Sequence, residues 1–170
     1  MVANSTSAQQ TTRQVGALTV TRISDTQAEL RRELNAPRRL VFEALSSCEH
    51  IQHWWGPRNT SFINCAMDFR QGGQWRFVIR DSDGNEAAFR GEYREIAPPD
   101  RVVQTFEFEG FPGAIAVESM TLEEHDGKTS VKIISSLDSK EAADAYLASG
   151  MEQGAAETYD RLEEYIRTLA

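Results

Sequence analysis

The sequence has only two cysteines, no long apolar run and no excess of positive charge. A cytosolic chain of this size needs no disulfide, so we interpret Cys48 and Cys65 as reduced, buried thiols. No stretch approaches the ~18 apolar residues of a membrane-spanning helix. The N-terminus also lacks the basic start and apolar core of a secretory signal. These absences predict a cytoplasmic protein that does not insert into a membrane.

The charge of the chain is acidic, with a net value of −8 over 170 residues. From Asp138 onward there are eight acidic residues against three basic ones, and we interpret this segment as the solvated face of a helix. An acidic chain without a basic stripe repels phosphate backbones, so the charge argues against nucleic-acid binding. The 40% hydrophobic and 26% charged residues are ordinary for a globular protein. Together with the length, they predict a single domain.

The N-terminal part divides into a tail and the first strands of that domain. Residues 1–14 are rich in serine, threonine and glutamine, which predicts a disordered tail before a domain of residues 15–170. Alternation over residues 17–22 and 27–34, with a Ser-Asp turn pair between them, predicts a β-hairpin.

Helical periodicity occurs at two places in the chain. After Pro37, apolar residues recur at three- and four-residue spacing, and a second short helix is predicted over residues 49–54. From Ser139 to the C-terminus the period is helical again, which predicts one long helix. Its apolar stripe consists of Ala155, Tyr159, Leu162 and Ile166. Gly150 and Gly154 predict a break or kink within it.

The centre of the chain is composed of strands joined by turn residues. The predicted strands are 62–69, 74–80, 87–96, 101–109, 116–123 and 129–137. Glycine- and proline-containing turns join them, and strands in such close succession form an antiparallel meander. A sheet whose strands alternate must bury one face, and the long amphipathic helix is the available cover.

Four motifs in order resemble the heat-shock protein 90 ATPase activator homologue-like family, a branch of the START-like (SRPBCC) superfamily. Residues 35–44 (NAPRRLVFEA) resemble its DAP-x-x-L/V-V-F opening, and residues 53–57 (HWWGP) contain its WWGP signature. Residues 68–77 (DFRQGGQWRF) match its D-x-R-x-GG-x-W-x-F turn, and residues 96–103 (IAPPDRVV) match its I-x-PP-x-R-L-V turn. The chain is therefore identified as a bacterial, free-standing member.

The resemblance implies a helix-grip (START-like) α+β fold. We expect a curved antiparallel sheet of six to eight strands, two short helices and a long C-terminal helix packed on the sheet. It also implies a cavity between sheet and helix that holds a small hydrophobic molecule, lipid-, aromatic- or polyketide-like. It implies no shared reaction. We predict no cofactor, and we expect a monomer or weak dimer. A role in stress response is one context that it leaves open.

Aromatic and apolar side chains are the candidate ligand contacts. They are Trp54, Trp55, Trp75, Phe77, Phe89, Tyr93, Phe106, Phe108, Met120 and Tyr159. Strand alternation places Trp75 with Phe77, Phe89 with Tyr93, and Phe106 with Phe108 on common faces. Such a face is either plain core or the wall of a ligand cavity, and the resemblance favours the wall. The adjacent tryptophans Trp54 and Trp55 form either a lid or a plug at the open end of the sheet.

Glu118 is the candidate polar contact and the one candidate for catalysis. If Met120 and Leu122 face the core, a period of two places Glu118 on the same face, where a carboxylate must pair, shift its pKa or perform a task. Arg76, Arg90 and Tyr93 are its candidate partners. A register slip of one residue would instead send Glu118 to solvent, and we slightly favour that alternative.

Cys48, His50 and His53, with Cys65 added, offer thiolates and imidazoles of the kind that zinc prefers. Their spacing is not that of a common structural zinc site, however. We therefore interpret the group as a buried thiol beside two surface histidines, and predict no metal.

Three functions remain open. The leading one is a module that binds a small hydrophobic ligand, and binding is favoured over catalysis. The second is a cyclase- or hydrolase-type enzyme in the same cavity, with Glu118 as its general base. The third is a co-chaperone-like interaction domain, although the chain lacks a second chaperone-binding domain. Fold analogy alone does not separate them.

Overall fold

The computed structural model of the protein describes residues 11–170, and these form one antiparallel sheet with four helices. The first strands and helices are β1 (Thr11–Val15), β2 (Leu18–Arg22), β3 (Gln27–Leu34), α1 (Arg38–Leu45) and α2 (Cys48–Ile51). The central strands are β4 (Thr60–Met67), β5 (Gln74–Asp81), β6 (Glu86–Ala97), β7 (Arg101–Phe108), β8 (Ile115–His125) and β9 (Lys128–Ser136). The C-terminal helices are α3 (Lys140–Ala148) and α4 (Met151–Arg167).

The sheet has the strand order β1-β2-β3-β9-β8-β7-β6-β5-β4. Strands β4 to β9 form the predicted meander, and the N-terminal strands join it through the antiparallel pairing of β3 with β9. The sheet has nine strands, so the predicted number of six to eight is wrong. The extra strand is β1, in which four of the five residues carry polar side chains but pair with β2 through the backbone.

The helices pack on one face of the sheet, which we call the inner face. Buried and more exposed side chains alternate along the strands, and the buried ones point to this face. In β3 the side chains of Leu30 and Leu34 are buried, and in β9 those of Val131 and Ile133 are buried. Leu30 stands opposite Ile133 in the register of these two strands. β-Branched and large aliphatic side chains pack well on such a pleated surface, which places the core between the sheet and the helices.

The C-terminal helical segment breaks where the glycine spacing predicted. Gly150 has a φ of 79° and precedes α4 as its N-cap, a left-handed conformation that glycine adopts without a Cβ clash. The buried stripe of α4 consists of Ala156, Tyr159, Leu162 and Ile166. Buried Arg32 on β3 forms ion pairs with Asp160 and Glu163 of this helix. The apolar stripe and these ion pairs together fix α4 on the sheet.

Two predictions about the chain ends and the cysteines need correction. Thr11 to Gln14, assigned to the tail by sequence, are the first residues of β1, and the remainder of that predicted tail lies outside the described residues. Cys48 and Cys65 form a disulfide, so the prediction of reduced thiols is wrong. The disulfide joins α2 to β4, whose Cα atoms at these positions are 5.9 Å apart. A contact between these elements cannot be read from the spacing of the two cysteines.

Within residues 11–170, no helix combines the length and the apolar character needed to cross a bilayer.

Candidate functional site

An aromatic cluster covers one end of the inner face. The ring centroids of Trp75 and Phe77 on β5 lie 4.7 Å apart, and those of Phe89 and Phe106 on β6 and β7 lie 5.5 Å apart. Trp55 joins both groups, because its ring contacts Phe77 at 5.2 Å and Phe89 at 5.1 Å, edge-on in each case. Offset and edge-on arrangements are those that aromatic pairs prefer. The predicted sharing of faces along these strands is thus confirmed.

The two adjacent tryptophans have different positions. Trp54 is buried, and its indole N–H donates to the carbonyl oxygen of Ala44 at 3.0 Å, so it anchors α1 against α2. Trp55 is half-buried and packs on the aromatic cluster. Phe108 lies at the rim of the cluster with 40% of its surface exposed. Trp54 is therefore part of the core between the two short helices, and Trp55 belongs to the aromatic cluster.

Trp75 occupies a space that Gly91 leaves free. The two residues are register partners, and a Cβ on Gly91 would come within 2.5 Å of Trp75 Nε1 and within 1.9 Å of the Thr105 carbonyl oxygen. Trp75 is buried, and within residues 11–170 its Nε1 has no hydrogen-bond partner. An unpaired buried donor costs about 1–3 kcal/mol. The aromatic cluster thus contains one donor that the described residues do not satisfy.

A polar row crosses the inner face beside the aromatic cluster. The register aligns Tyr93 with Gln104, Gln104 with Glu118, and Glu118 with Ser135, on four adjacent strands from β6 to β9. Tyr93 and Ser135 are buried, whereas Gln104 and Glu118 are half-buried. We call these four residues the polar row. It separates the aromatic cluster from the aliphatic core around Ile133.

Glu118 faces inward, and the favoured prediction of a register slip is wrong. Ala116 and Leu122 lie at even spacing from Glu118 on β8, and both are buried. Val117, which the slip would have turned inward, alternates to the outer face and pairs with Thr105. The sequence left this orientation open, because it does not show where bulges lie. A single bulge shifts the pairing of two neighbouring strands by one residue, and the side chains beyond it then change faces.

The electrostatic environment of Glu118 is unusual for a carboxylate. Burial raises its pKa to about 7, and desolvation is the sole cause, since no hydrogen bond or nearby cation of the described residues opposes it. Tyr146 of α3 and Tyr159 of α4 lie close enough to Glu118 for its negative charge to affect the ionisation of their phenols. The pKa of each phenol is raised, first by burial and then by the negative charge of Glu118. Glu118 therefore lies deep among protein atoms while part of its surface remains accessible.

Two of the three predicted partners of Glu118 are on the wrong side of the sheet. Arg76 and Arg90 alternate to the outer face, where they bind Glu109 at 2.9 Å and Glu107 at 2.5 Å. These four side chains help to line an open groove of about 510 Å³ on that face. Tyr93, the third predicted partner, shares the inner polar row. Trp75 and Gly91 also line this groove, so it adjoins the aromatic cluster, whereas Glu118 is not among its lining residues.

The cysteines and histidines considered as possible zinc ligands make structural contacts instead. The disulfide occupies both sulfur atoms, so neither is a thiolate ligand. His50 Nδ1 lies 2.7 Å from the Tyr165 hydroxyl, and the His53 ring stacks on the Tyr165 ring at a centroid distance of 5.1 Å. Over residues 11–170, no cluster of three or more potential ligands is assembled.

Several members of the site were not singled out from the sequence. Gln104 and Ser135 could have been found from alternation, because they share the inner face with Val102 and Ile133. Tyr146 could not, since its position depends on how α3 docks; its hydroxyl lies 3.3 Å from Ser135 Oγ. Met120 and Tyr159, which were predicted, lie on the inner face and on the buried stripe of α4.

The fold defines the class of the protein: an antiparallel sheet that packs against a C-terminal helix, with two short helices inserted after its third strand, is the helix-grip, or START-like, fold. Within that class, the chain belongs to the family described as Activator of Hsp90 ATPase homolog 1-like protein, whose model matches residues 35–167. The match includes all four motifs on which the resemblance was based.

Solved bacterial structures share this fold. A protein from Rhodobacter sphaeroides is 23% identical with a TM-score of 0.83, over 89% of this chain and 99% of that one. A protein from Nitrosomonas europaea is 22% identical with a TM-score of 0.76, over 85% and 96%. A solution structure from Arthrobacter aurescens is 21% identical with a TM-score of 0.78, over 91% and 93%. A comparison with curated proteins gives no match.

Proposed function

We propose that this protein binds a small hydrophobic molecule between the inner face of the sheet and α4. The observation that carries the proposal is the partial exposure of Trp55, Phe89 and Phe106, although they lie on the face that the helices cover. A well-filled core leaves such side chains no accessible surface. Ligand sites are typically apolar and aromatic with a few polar groups, and the polar row supplies those groups.

A thermal-shift screen with lipid-like, aromatic and polyketide-like compounds tests the proposal. A ligand at a hundred times its dissociation constant stabilises by about 2.7 kcal/mol, which raises the melting midpoint of a domain of this size by roughly 5–10 °C. Phe89→Leu should weaken the response, because Phe89 faces inward. Arg90→Leu is the matched control, since this neighbour in β6 points outward to Glu107. Silence across all compound classes, or equal effects of both substitutions, would contradict the proposal.

Catalysis is the second candidate, and the pKa of Glu118 favours it. A general base works best when its pKa lies near the operating pH, and burial raises the pKa of Glu118 to about 7. A cyclase or hydrolase using this base would lose turnover of a bound compound in Glu118→Gln while ligand binding persisted. Unchanged turnover in that variant would exclude Glu118 as the base.

A co-chaperone-like role is the third candidate, and exposed apolar residues at the β7–β8 turn favour it. Phe111 is 68% exposed and Ile115 is 43% exposed, and exposed apolar patches often mark contacts with other proteins. A binding assay with a purified chaperone of the Hsp90 class would detect this interaction. Phe111→Ser should weaken it, and the absence of binding by the unmodified protein would count against the role.

We further propose that the protein acts in the cytoplasm as a monomer or weak dimer, without a cofactor. The disulfide makes the location testable, because disulfides are rare in reducing compartments. Rapid alkylation of thiols in intact cells, followed by mass measurement, reports the state of Cys48 and Cys65. Full protection of both from alkylation would favour an oxidising compartment instead. Light scattering across a concentration series measures the oligomeric state.

A further inference from the structure

The charges near the inner face are paired, with the exception of Glu118. Arg32 binds Asp160 and Glu163, and Arg161 donates to the carbonyl oxygens of Gly56 and Pro57. Towards the β1 edge, the same holds for Arg13 with Glu152 and for Arg22 with Asp144. No basic side chain of residues 11–170 is thus committed to the Glu118 carboxylate.

The groups around Glu118 are uncharged: the phenols of two tyrosines, the Ser135 hydroxyl and the Gln104 amide. Tyr159 approaches from α4, and Tyr146 from α3 with its hydroxyl near Ser135. Tyr93 lies two positions along the polar row, on the far side of Gln104. A carboxylate among aromatic rings suits an organic cation, because the carboxylate accepts a charge-assisted hydrogen bond and the rings attract the positive charge with their faces. Such attractions are stronger where water is excluded.

We propose that the ligand of this site is an amine that carries an aromatic or alicyclic ring system. Its protonated nitrogen binds Glu118, while the ring system packs on the aromatic cluster. This inference rests on the proposed ligand-binding function and narrows the ligand class. An anionic amphiphile such as a fatty acid is a poor match, since its carboxylate would approach a second carboxylate. Two like charges at short range disfavour ionisation of one of them.

Binding of an amine is therefore linked to pH. Glu118 must be ionised to pair with the cation, and its pKa of about 7 means that affinity rises as the pH increases from 6 to 8. Titration of other facing groups does not interfere: the phenols of Tyr146, Tyr159 and Tyr93 have raised pKa values and remain neutral over this range. The remaining facing groups of β7 and β9, Gln104 and Ser135, do not titrate.

Three naphthalene probes of similar size test the inference: 1-naphthylmethylamine, 1-naphthalenemethanol and 1-naphthoic acid, titrated calorimetrically at pH 6 and pH 8. At pH 8 we expect the amine to bind at least about tenfold more tightly than the acid, the ratio expected for one charge-assisted contact. Glu118→Gln should remove this preference and its pH dependence. Glu123→Gln is the control, because this exposed residue of the same strand faces outward.

The outcomes separate this inference from the broader proposal. If the acid or the alcohol binds as tightly as the amine, or if Glu118→Gln keeps the preference, the amine assignment is wrong while hydrophobic binding stands. If no probe binds while the broad thermal-shift screen finds ligands without an amine, the assignment is likewise wrong. Silence of both the probes and the screen overturns both proposals. An amine preference that disappears only in Glu118→Gln supports both.

Discussion

Removing the disulfide should lower the stability of the domain by a predictable amount. Cys48 and Cys65 are separated by 17 positions, and closing a loop of this length removes entropy from the unfolded chain equivalent to about 3 kcal/mol. The disulfide holds α2, and with it the nearby Trp55, against the edge strand β4. For a domain of this size, a loss of 3 kcal/mol corresponds to a decrease of roughly 6–12 °C in the melting midpoint.

The assay is urea unfolding, followed by tryptophan fluorescence, of the oxidised protein and of the Cys48→Ala/Cys65→Ala variant. Adding a dithiol reductant to the unmodified protein should reproduce most of the loss, and it should leave the double variant unchanged. Mass measurement after alkylation verifies the thiol state in each sample. If fully reduced protein unfolds within about 0.5 kcal/mol of the oxidised form, the crosslink does not constrain the unfolded chain and the reasoning fails.

The remaining predictions concern the inner face. Gly91→Ala should destabilise the protein by about 1–3 kcal/mol, since its Cβ would meet Trp75 Nε1 and the Thr105 carbonyl oxygen; urea unfolding measures this. Gly154→Ala, in α4, where a Cβ would make only an ordinary van der Waals contact with the Pro57 ring at 3.5 Å, should instead be neutral or stabilising by up to about 1 kcal/mol. Burial raises the pKa of Glu118 to about 7. The protonated carboxyl therefore stabilises the folded state fully below the pKa that Glu118 has in the unfolded chain, and this stability is lost as the pH rises through 7. Glu118→Gln should flatten the stability profile between pH 5 and 8 by about 2.5 kcal/mol; an unchanged slope would show that Glu118 is not desolvated.

Alternation predicted most of the fold because each central strand buries one face. The predicted strand over residues 27–34 has the same bounds as β3, and the other seven predicted strands agree with the structure to within two residues at each end. β1 was missed because four of its five side chains are exposed. Its place in the sheet depends on backbone hydrogen bonds to β2, which composition does not report.

The candidate site was only partly predictable. The aromatic faces follow from a period of two along single strands, so Trp75 and Phe77 could be grouped from the sequence. The orientation of Glu118 required the register between strands, and a bulge between Tyr93 and Glu95 shows how such a register can shift. The contacts of Tyr146 and the Cys48–Cys65 bond depend on how helices dock on the sheet. These tertiary contacts have no local signature in the sequence.

The pairing of β3 with β9 has a consequence for folding during translation. The two strands pair over their full lengths although about a hundred residues separate them in the chain, and closing so long a loop carries an entropic penalty that slows folding. The N-terminal hairpin leaves the exit tunnel long before its partner is translated. Until β9 emerges, the aromatic strands of the meander must persist in a nascent chain whose sheet is incomplete, and such chains are prone to aggregate. The N-terminal strands can therefore join the meander only after β9 has been translated and has left the tunnel.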